Sequence, residues 1–91
     1  MRKASYSGQF KRDLKLARKR GQDLNILQKV IALLVDRKPL PKQFRDHQLS
    51  NNWQNHRECH LEPDWLLIYK IFDNDTCVRF ERLGTHSDLF R

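Results

Sequence analysis

The feature that most limits the possible folds is an almost wholly apolar run at residues 65–72, which follows a second strand pattern and a proline turn. A run of this kind suits a central β-strand that is covered on both faces. The turn at 62–64 reverses the chain, so residues 56–61 and 65–72 are predicted to form a hairpin. Side chains alternate along a strand, which places Glu58 and His60 on one face and their apolar neighbours on the other.

Helix signals precede this hairpin. Ser7 is a typical N-cap and Gly21 a typical stop for a first helix, while Asp23 caps a second helix. The predicted elements are strands at 2–6, 56–61, 65–72 and 76–83, helices at 7–20 and 23–37, and a loop at 39–55 whose apolar residues are expected to pack down. The order β-α-α-β-β-β predicts an α+β fold, with both helices on one face of a small, mainly antiparallel sheet and the other face open.

The length of 91 residues predicts a single domain over 1–91. No apolar run approaches the roughly 20 residues of a membrane helix, and no apolar signal segment follows the basic N-terminus. Cys59 and Cys77 are expected in strands that flank a third one, which is too far apart for a disulfide. Buried free thiols in a reducing compartment are therefore expected, and the predicted location is the cytoplasm.

The positive charge is concentrated at the N-terminus. Residues 1–20 hold eight Lys and Arg against one Asp, so they account for the whole formal net charge of +7. The outward side of the first helix is predicted to form a basic ridge of Lys11, Arg12, Lys15, Arg18, Lys19 and Arg20. Charge runs are often only solvated, but this concentration favours docking to a polyanion, with nucleic acid before an acidic protein.

Three histidines, which titrate near neutral pH, and one aspartate could converge on the open face. His47 lies in the long loop, His60 in the first hairpin strand and His86 in the tail, while Asp64 begins the second hairpin strand. Each alone has an ordinary explanation, such as a turn hydrogen bond for Asp64. Phe90 beside a histidine suits stacking on an unstacked base.

The sequence offers little for a metal or a cofactor. Structural zinc sites draw paired ligands from close spacings, and Cys59 and Cys77 have no such partners. No glycine-rich phosphate loop is present either. No metal and no small-molecule cofactor are therefore predicted.

Several runs are similar to the RelE/ParE superfamily of bacterial toxins, and within it to the YafQ branch of ribosome-dependent mRNA interferases. The similar runs are YSGQF at 6–10, DHQL at 46–49, RECHLEPDW at 57–65, LIYK at 67–70 and RFERLGTH at 79–86, with Leu89 and Phe90. The resemblance implies a microbial RNase-like fold that cuts mRNA in the ribosomal A site and a cognate antitoxin that holds it inactive. Its catalytic positions are His47, His60, Asp64, His86 and Phe90, so that Glu58 receives no role.

The implied reaction is metal-free cleavage through the 2′-hydroxyl. The hypothesis assigns base and orientation to His60 with Asp64, the acid to His86, a phosphate contact to His47, charge stabilisation to Arg82 and base stacking to Phe90. The choice between base and acid is left open. Strand alternation places Arg82 on the core face unless a bulge turns it. Two alternatives are a ParE-like toxin that acts by binding alone and a basic RNA-binding module without catalysis.

Overall fold

The computed structural model describes residues 1–90 and contains a five-stranded sheet with two long helices on one face. The elements are β1 (Lys3–Tyr6), α1 (Gly8–Lys19), α2 (Leu24–Val35), β2 (His47–Gln48), β3 (Arg57–Glu62), β4 (Trp65–Phe72), β5 (Cys77–Gly84) and α3 (His86–Leu89). The strand order is β1-β5-β4-β3-β2, with β1 parallel to β5 and the other pairs antiparallel. The predicted α+β class is confirmed.

The helix ends follow the expected capping chemistry. Ser7 Oγ accepts a hydrogen bond of 2.9 Å from the Phe10 amide, and Asp23 accepts one of 3.0 Å from the Asn25 amide. Gly21 has φ of 72°, the left-handed conformation in which glycine commonly ends a helix. The second helix ends at Val35 rather than at residue 37, because Arg37 has a positive φ of 62°, which an α-helix cannot contain.

Strand β4 is the centre of the molecule, as its apolar composition predicted. Trp65, Leu67 and Tyr69 pack in the main core beneath α1 and α2. Leu66 and Ile68 point to the other side, where they form a second small cluster with Leu89, Leu49 and Trp53. The prediction of an open second face is therefore wrong in part, because α3 and the long loop cover a portion of it.

Three short elements were not predicted. The loop at 39–55 contains the two-residue strand β2 and two 3₁₀ turns, Lys42–Phe44 and Asn51–Trp53. Phe44 joins the main core and Trp53 the second cluster, so the loop does pack down, on both sides of the sheet. The tail forms the single turn α3, which agrees with its short length.

The cysteines are both free, and they differ in exposure. Cys59 is fully buried, and burial raises the pKa of its thiol above the ordinary range. Cys77 is only half-buried, so the prediction of a buried thiol is wrong there: it begins β5 beside an exposed turn. None of the helices within residues 1–90 is long and apolar enough to cross a membrane.

Candidate active site

Three histidines and a phenylalanine form a row on the side of the sheet that faces away from α1 and α2. The ring centroids of His47 and His60 are 5.9 Å apart, those of His60 and His86 are 5.9 Å apart, and those of His86 and Phe90 are 6.4 Å apart. These residues come from β2, β3 and the C-terminal turn. The predicted convergence of loop, hairpin and tail is present in the structure.

His47 is held by the pairing of β2 with β3. It lies directly opposite Glu58 in the ladder, and its Nε2 is 3.0 Å from the Glu58 carboxylate. Its Nδ1 is 2.8 Å from the Arg45 carbonyl oxygen. A carbonyl only accepts, so Nδ1 carries a proton and donates to it. The Glu58 carboxylate lies within ion-pair distance of the other ring nitrogen.

Glu58 was given no role from the sequence, and the structure gives it one. Its side chain is only 7% exposed, and its carboxylate is directed at His47. A buried carboxylate needs a cationic partner, since an unpaired charge is costly to bury. The clue was present in the sequence as the alternation that places Glu58 and His60 on one face, but the partner comes from a strand that was not predicted.

Asp46 fixes the backbone directly before His47. The buried Tyr69 hydroxyl donates a short hydrogen bond to Asp46 Oδ1, and Arg57 Nη2 donates one of 2.9 Å to Oδ2. Burial, with the Asp46 contact next, raises the pKa of Tyr69, so the hydroxyl stays protonated and donates. The contacts tie β2 to two core strands.

His60 occupies the middle of the row and is half-buried. Burial lowers the pKa of His60. The electrostatic effect of the neighbouring His47 and His86 rings lowers it further, while the Glu58 carboxylate opposes the shift. Its Nδ1 is buried without a hydrogen-bond partner in the described chain. The neutral ring is therefore favoured, with a nitrogen that can take up a proton.

Asp64 contacts His86 rather than His60, which corrects the expectation that it orients His60. Its Oδ1 accepts from the His86 amide at 2.9 Å and lies 2.5 Å from His86 Nδ1. The hydrogen bond from the His86 amide, followed by the contact with the His86 ring, lowers the pKa of Asp64, so its carboxylate is ionised at neutral pH. Nδ1 of His86 therefore donates, and its Nε2 is left for chemistry.

The turn that carries His86 is fixed from both sides. Thr85 and Asp88 form a capping box, with bonds of 2.9 Å and 3.1 Å between side chains and amides. Arg20 extends from the end of α1 and donates to Asp88 at 2.7 Å. The hydrogen bond from Arg20, followed by the one from the Thr85 amide, lowers the pKa of the Asp88 carboxyl group.

Arg82 is held by α1. A bulge opposite the step between Ile68 and Tyr69 shifts the alternation of β5, so Arg82 pairs with Ile68 and leaves the core face. Its guanidinium then donates to Asp13, with 2.8 Å between Nε and Oδ2. The bulge considered from the sequence is present, and it gives Arg82 a structural partner.

The six side chains of the basic ridge are all exposed along α1 and its C-terminal cap. Arg20 differs from the other five, because its guanidinium already forms an ion pair with Asp88. The other five, Lys11, Arg12, Lys15, Arg18 and Lys19, present their charge to solvent.

One group of side chains fits the ligand preferences of a metal ion. His47, Glu58 and His60 each offer a ligand atom, and the three atoms lie within 4.8 Å of one another. Neither cysteine belongs to this group. No closely spaced cysteine pair marks this set in the sequence, because strand pairing brings its members together from residues 47 and 58–60.

Two helices on one face of a five-stranded mixed sheet, with a row of histidines on the other, place the chain in the class of RelE-like α+β toxins. A family model described as the bacterial toxin of type II toxin–antitoxin systems, YafQ, matches residues 2–91. The chain belongs to this YafQ family.

Its relatives cover nearly the whole chain. The mRNA interferase toxin YafQ of Escherichia coli is 48% identical over 90 residues, which are 98% of this chain and 96% of the relative. The solved E. coli DinJ–YafQ complex matches with 48% identity and a TM-score of 0.91 over 100% of both chains. A metal-bound toxin from Helicobacter pylori matches with 41% identity and a TM-score of 0.91, over 99% of this chain and 100% of its own.

Proposed function

We propose that this chain is an mRNA interferase that cleaves mRNA in the ribosomal A site by metal-free acid–base chemistry and so inhibits translation. The observation that carries the proposal is the pairing of His60 with His86, whose rings lie 5.9 Å apart while a carboxylate is bound to one of them. Two imidazoles in different environments can act as base and acid on one phosphodiester. The name of the E. coli relative supports the same activity.

His60 is assigned as the general base. Its burial between two other histidines favours the neutral ring, which has a lone pair to accept the proton of the RNA 2′-hydroxyl. The 2′-oxygen then attacks the adjacent phosphorus, and the bond from phosphorus to the 5′-oxygen breaks. The products are a 2′,3′-cyclic phosphate and a 5′-hydroxyl end.

His86 is assigned as the general acid. The Asp64 carboxylate accepts from Nδ1 and fixes the orientation of the ring, and Nε2 is assigned to give its proton to the leaving 5′-oxygen. His86 is 53% exposed, so an RNA strand can reach this nitrogen. Asp64 acts here as a positioning residue for the acid.

The negative charge that develops on the phosphate needs nearby positive charge. His47 is assigned to supply it from the far end of the row, where the Arg45 carbonyl and the Glu58 carboxylate fix the position of the ring. Arg82 is assigned to the same role, with its guanidinium anchored on Asp13. Phe90 is 42% exposed beside His86 and is assigned to stacking on a base.

Two macromolecular partners follow from the proposal. The five side chains of the basic ridge other than Arg20 suit ribosomal RNA, which is a polyanion. The E. coli relative is solved in complex with DinJ, and we infer that a cognate antitoxin likewise holds this chain inactive in the cytoplasm.

Inducible expression with mapping of mRNA 5′ ends tests the reaction. The wild type should arrest growth and produce new mRNA ends, and His60→Ala and His86→Ala should abolish both. His56→Ala is the matched control, because His56 bonds Glu81 and lies outside the row, and it should behave as wild type. Arrest without new ends would instead indicate a toxin that acts by binding alone.

Charge reversal tests the docking surface. The double variant Lys15→Glu with Arg18→Glu should weaken ribosome association. The slope of the logarithm of the association constant against the logarithm of the salt concentration should become shallower by about one for each lost phosphate contact. The control reverses Lys29 and Lys38, which are exposed outside the ridge. Equal effects of the two pairs would show that only net charge matters.

A further inference from the structure

We propose that a cavity beside Phe90 binds the base of the nucleotide on the 3′ side of the cut, and that Asn51 and Asn52 determine which base it accepts. The inference rests on the proposed function, because it follows the RNA strand outward from the two histidines that act on the phosphate. The cavity measures about 390 Å³ and is lined by residues 49–53 of the loop and by Leu89 and Phe90 of the C-terminal turn. It therefore adjoins the row of rings through Phe90.

The position of the general acid determines which side of the cut lies at this cavity. His86 is assigned to give its proton to the leaving 5′-oxygen, and this oxygen belongs to the nucleotide on the 3′ side. The ring centroids of His86 and Phe90 are 6.4 Å apart, and Phe90 also lines the cavity. The base of that nucleotide therefore meets Phe90 first and the cavity next.

A second cavity lies at His60, in the other direction along the row from His86. It measures about 370 Å³ and is lined by residues 43–45 and 60–63. His60 is assigned to take the proton of the 2′-hydroxyl, which belongs to the nucleotide on the 5′ side of the cut. The two nucleotides thus have separate cavities, and the cavity beside Phe90 should affect only the choice of the base after the cut.

The lining of the cavity beside Phe90 suits an uncharged planar base better than a phosphate. Within residues 1–90, the side chains that line it are apolar, aromatic or neutral polar, so none of them offers a positive charge to a phosphate. Leu49 and Trp53 are half-buried and pack in the same small cluster as Leu89, which makes one wall apolar. Phe90 is 42% exposed and can stack on one face of a base.

Two asparagine amides provide polar contacts at the rim. Asn51 and Asn52 are exposed, and each amide offers donors beside an acceptor. Proteins read unstacked RNA bases by stacking on an aromatic ring and by hydrogen bonds to the base edge. The two adjacent acceptors on one edge of guanine are typically bound by Arg or Lys, whereas an asparagine amide matches an acceptor next to a donor. The rim therefore favours a base edge that presents a donor beside an acceptor.

The backbone at Asn51 makes a clean substitution possible. Asn51 has φ of 57° and begins the 3₁₀ turn Asn51–Trp53. Asparagine tolerates this left-handed region better than most residues, and glycine adopts it at no steric cost. Asn51→Gly therefore removes the amide and keeps the turn.

Cleavage of four matched mRNAs tests the base preference. The mRNAs differ only in the nucleotide directly after the mapped cut, and they are cleaved in a translation reaction by the wild type and by the double variant Asn51→Gly with Asn52→Ala. The wild type should cleave them at different rates. The ratio of the fastest to the slowest rate should fall at least about fivefold in the double variant, which is the discrimination of one good base contact. Each ratio is measured within one protein, so a change in total activity does not alter it.

Asn74→Gly is the matched control. Asn74 is also exposed and has a positive φ of 54°, but it lies in the turn at residues 73–75. This variant should keep the wild-type ratio. A ratio that is equal in the wild type and the double variant would overturn the role of Asn51 and Asn52, and so would an equal loss in Asn74→Gly.

A second test measures binding without cleavage. An RNA trinucleotide with a 2′-deoxy sugar before the scissile bond cannot be cleaved, and it is titrated into the isotope-labelled full chain and followed by NMR. The side-chain amide signals of Asn51 and Asn52 and the indole N–H signal of Trp53 should shift, whereas the amide signals of Asn74 should not. The control ligand carries an abasic residue on the 3′ side and should leave all of these signals in place.

The outcomes separate the cavity from the reaction. Equal shifts with the abasic ligand would overturn the cavity as a base site. Base-dependent shifts without cleavage of any mRNA would overturn the proposed function, while the binding of a base beside Phe90 would stand. Cleavage of all four mRNAs at equal rates by the wild type would overturn the role in base choice, while the nuclease activity would stand.

Discussion

Asp13 of α1 binds the end of β5 through hydrogen bonds, and its substitution tests how much these bonds stabilise the fold. This carboxylate lies on α1, is 8% exposed and accepts from the Leu83 amide at 2.9 Å and from Arg82 Nε at 2.8 Å. Leu83 and Arg82 directly follow the bulge in β5, beyond the last residue that β1 pairs. The Asp13 side chain thus satisfies a backbone donor that no neighbouring strand bonds at this edge. We predict that Asp13→Ala destabilises the fold strongly.

The expected cost is the sum of two losses and one small gain. The buried Leu83 amide without an acceptor costs about 1–3 kcal/mol. The lost bond to Arg82 costs about 1.5 kcal/mol, the low end for a charged pair, because Arg82 is 23% exposed and water can replace part of the contact. Alanine returns about 0.5 kcal/mol as a better helix former. The free energy of unfolding should therefore fall by about 3 kcal/mol.

Urea unfolding followed by tryptophan fluorescence measures this change, since Trp65 is fully buried in the core. The midpoint should fall without a change in slope, and the melting temperature should drop by roughly 12–20 °C. Asp36→Ala, at an exposed site, should cost less than about 0.5 kcal/mol. A cost below about 1 kcal/mol for Asp13→Ala would refute the assignment of Asp13 as the main acceptor for this edge.

Three further predictions concern the site and its supports. Asp64→Asn keeps an acceptor for the His86 amide but removes the charge at Nδ1, so kcat should fall about tenfold or more with little change in KM, measured on ribosome-bound mRNA. The lowered pKa of Asp88 stabilises the fold above its unfolded pKa of about 4, so the advantage of wild type over Asp88→Asn in melting temperature should shrink as pH falls from about 5 to 3. Tyr69→Phe removes the hydroxyl bound to Asp46 and should cost about 1–2 kcal/mol in urea unfolding and also reduce kcat, whereas an unchanged kcat would show that Asp46 does not position the row.

The elements with strong local signals were predicted well from the sequence. The bounds of β4 are those predicted, because an apolar run of this length between two turns suits a strand better than a helix. Both N-caps, Ser7 and Asp23, accept the expected amide bonds. The turn at residues 73–75 has three positive φ angles, which Asp and Asn tolerate better than other residues with a side chain.

The missing part was the pairing between distant segments. Strand β2 has only two residues, so no periodicity marks it, and its existence depends on β3 as a template. Without β2 the sequence could place His47 near the site but could not pair it with Glu58. In the same way, the contact of Asp64 with His86 depends on how α3 folds back, and 22 residues separate the two.

The arrangement of carboxylates explains why three similar histidines can do different work. Each of the two exposed rings, His47 and His86, has a carboxylate of its own from the β3–β4 hairpin, whereas the half-buried His60 between them has a histidine ring on each side. Burial lowers the pKa of His60, and its Nδ1 has no hydrogen-bond partner in the described chain. The three rings therefore have different surroundings within a single row. In the proposed reaction this difference separates the proton acceptor from its two neighbours, so the lone pair of His60 is the one on which cleavage would depend.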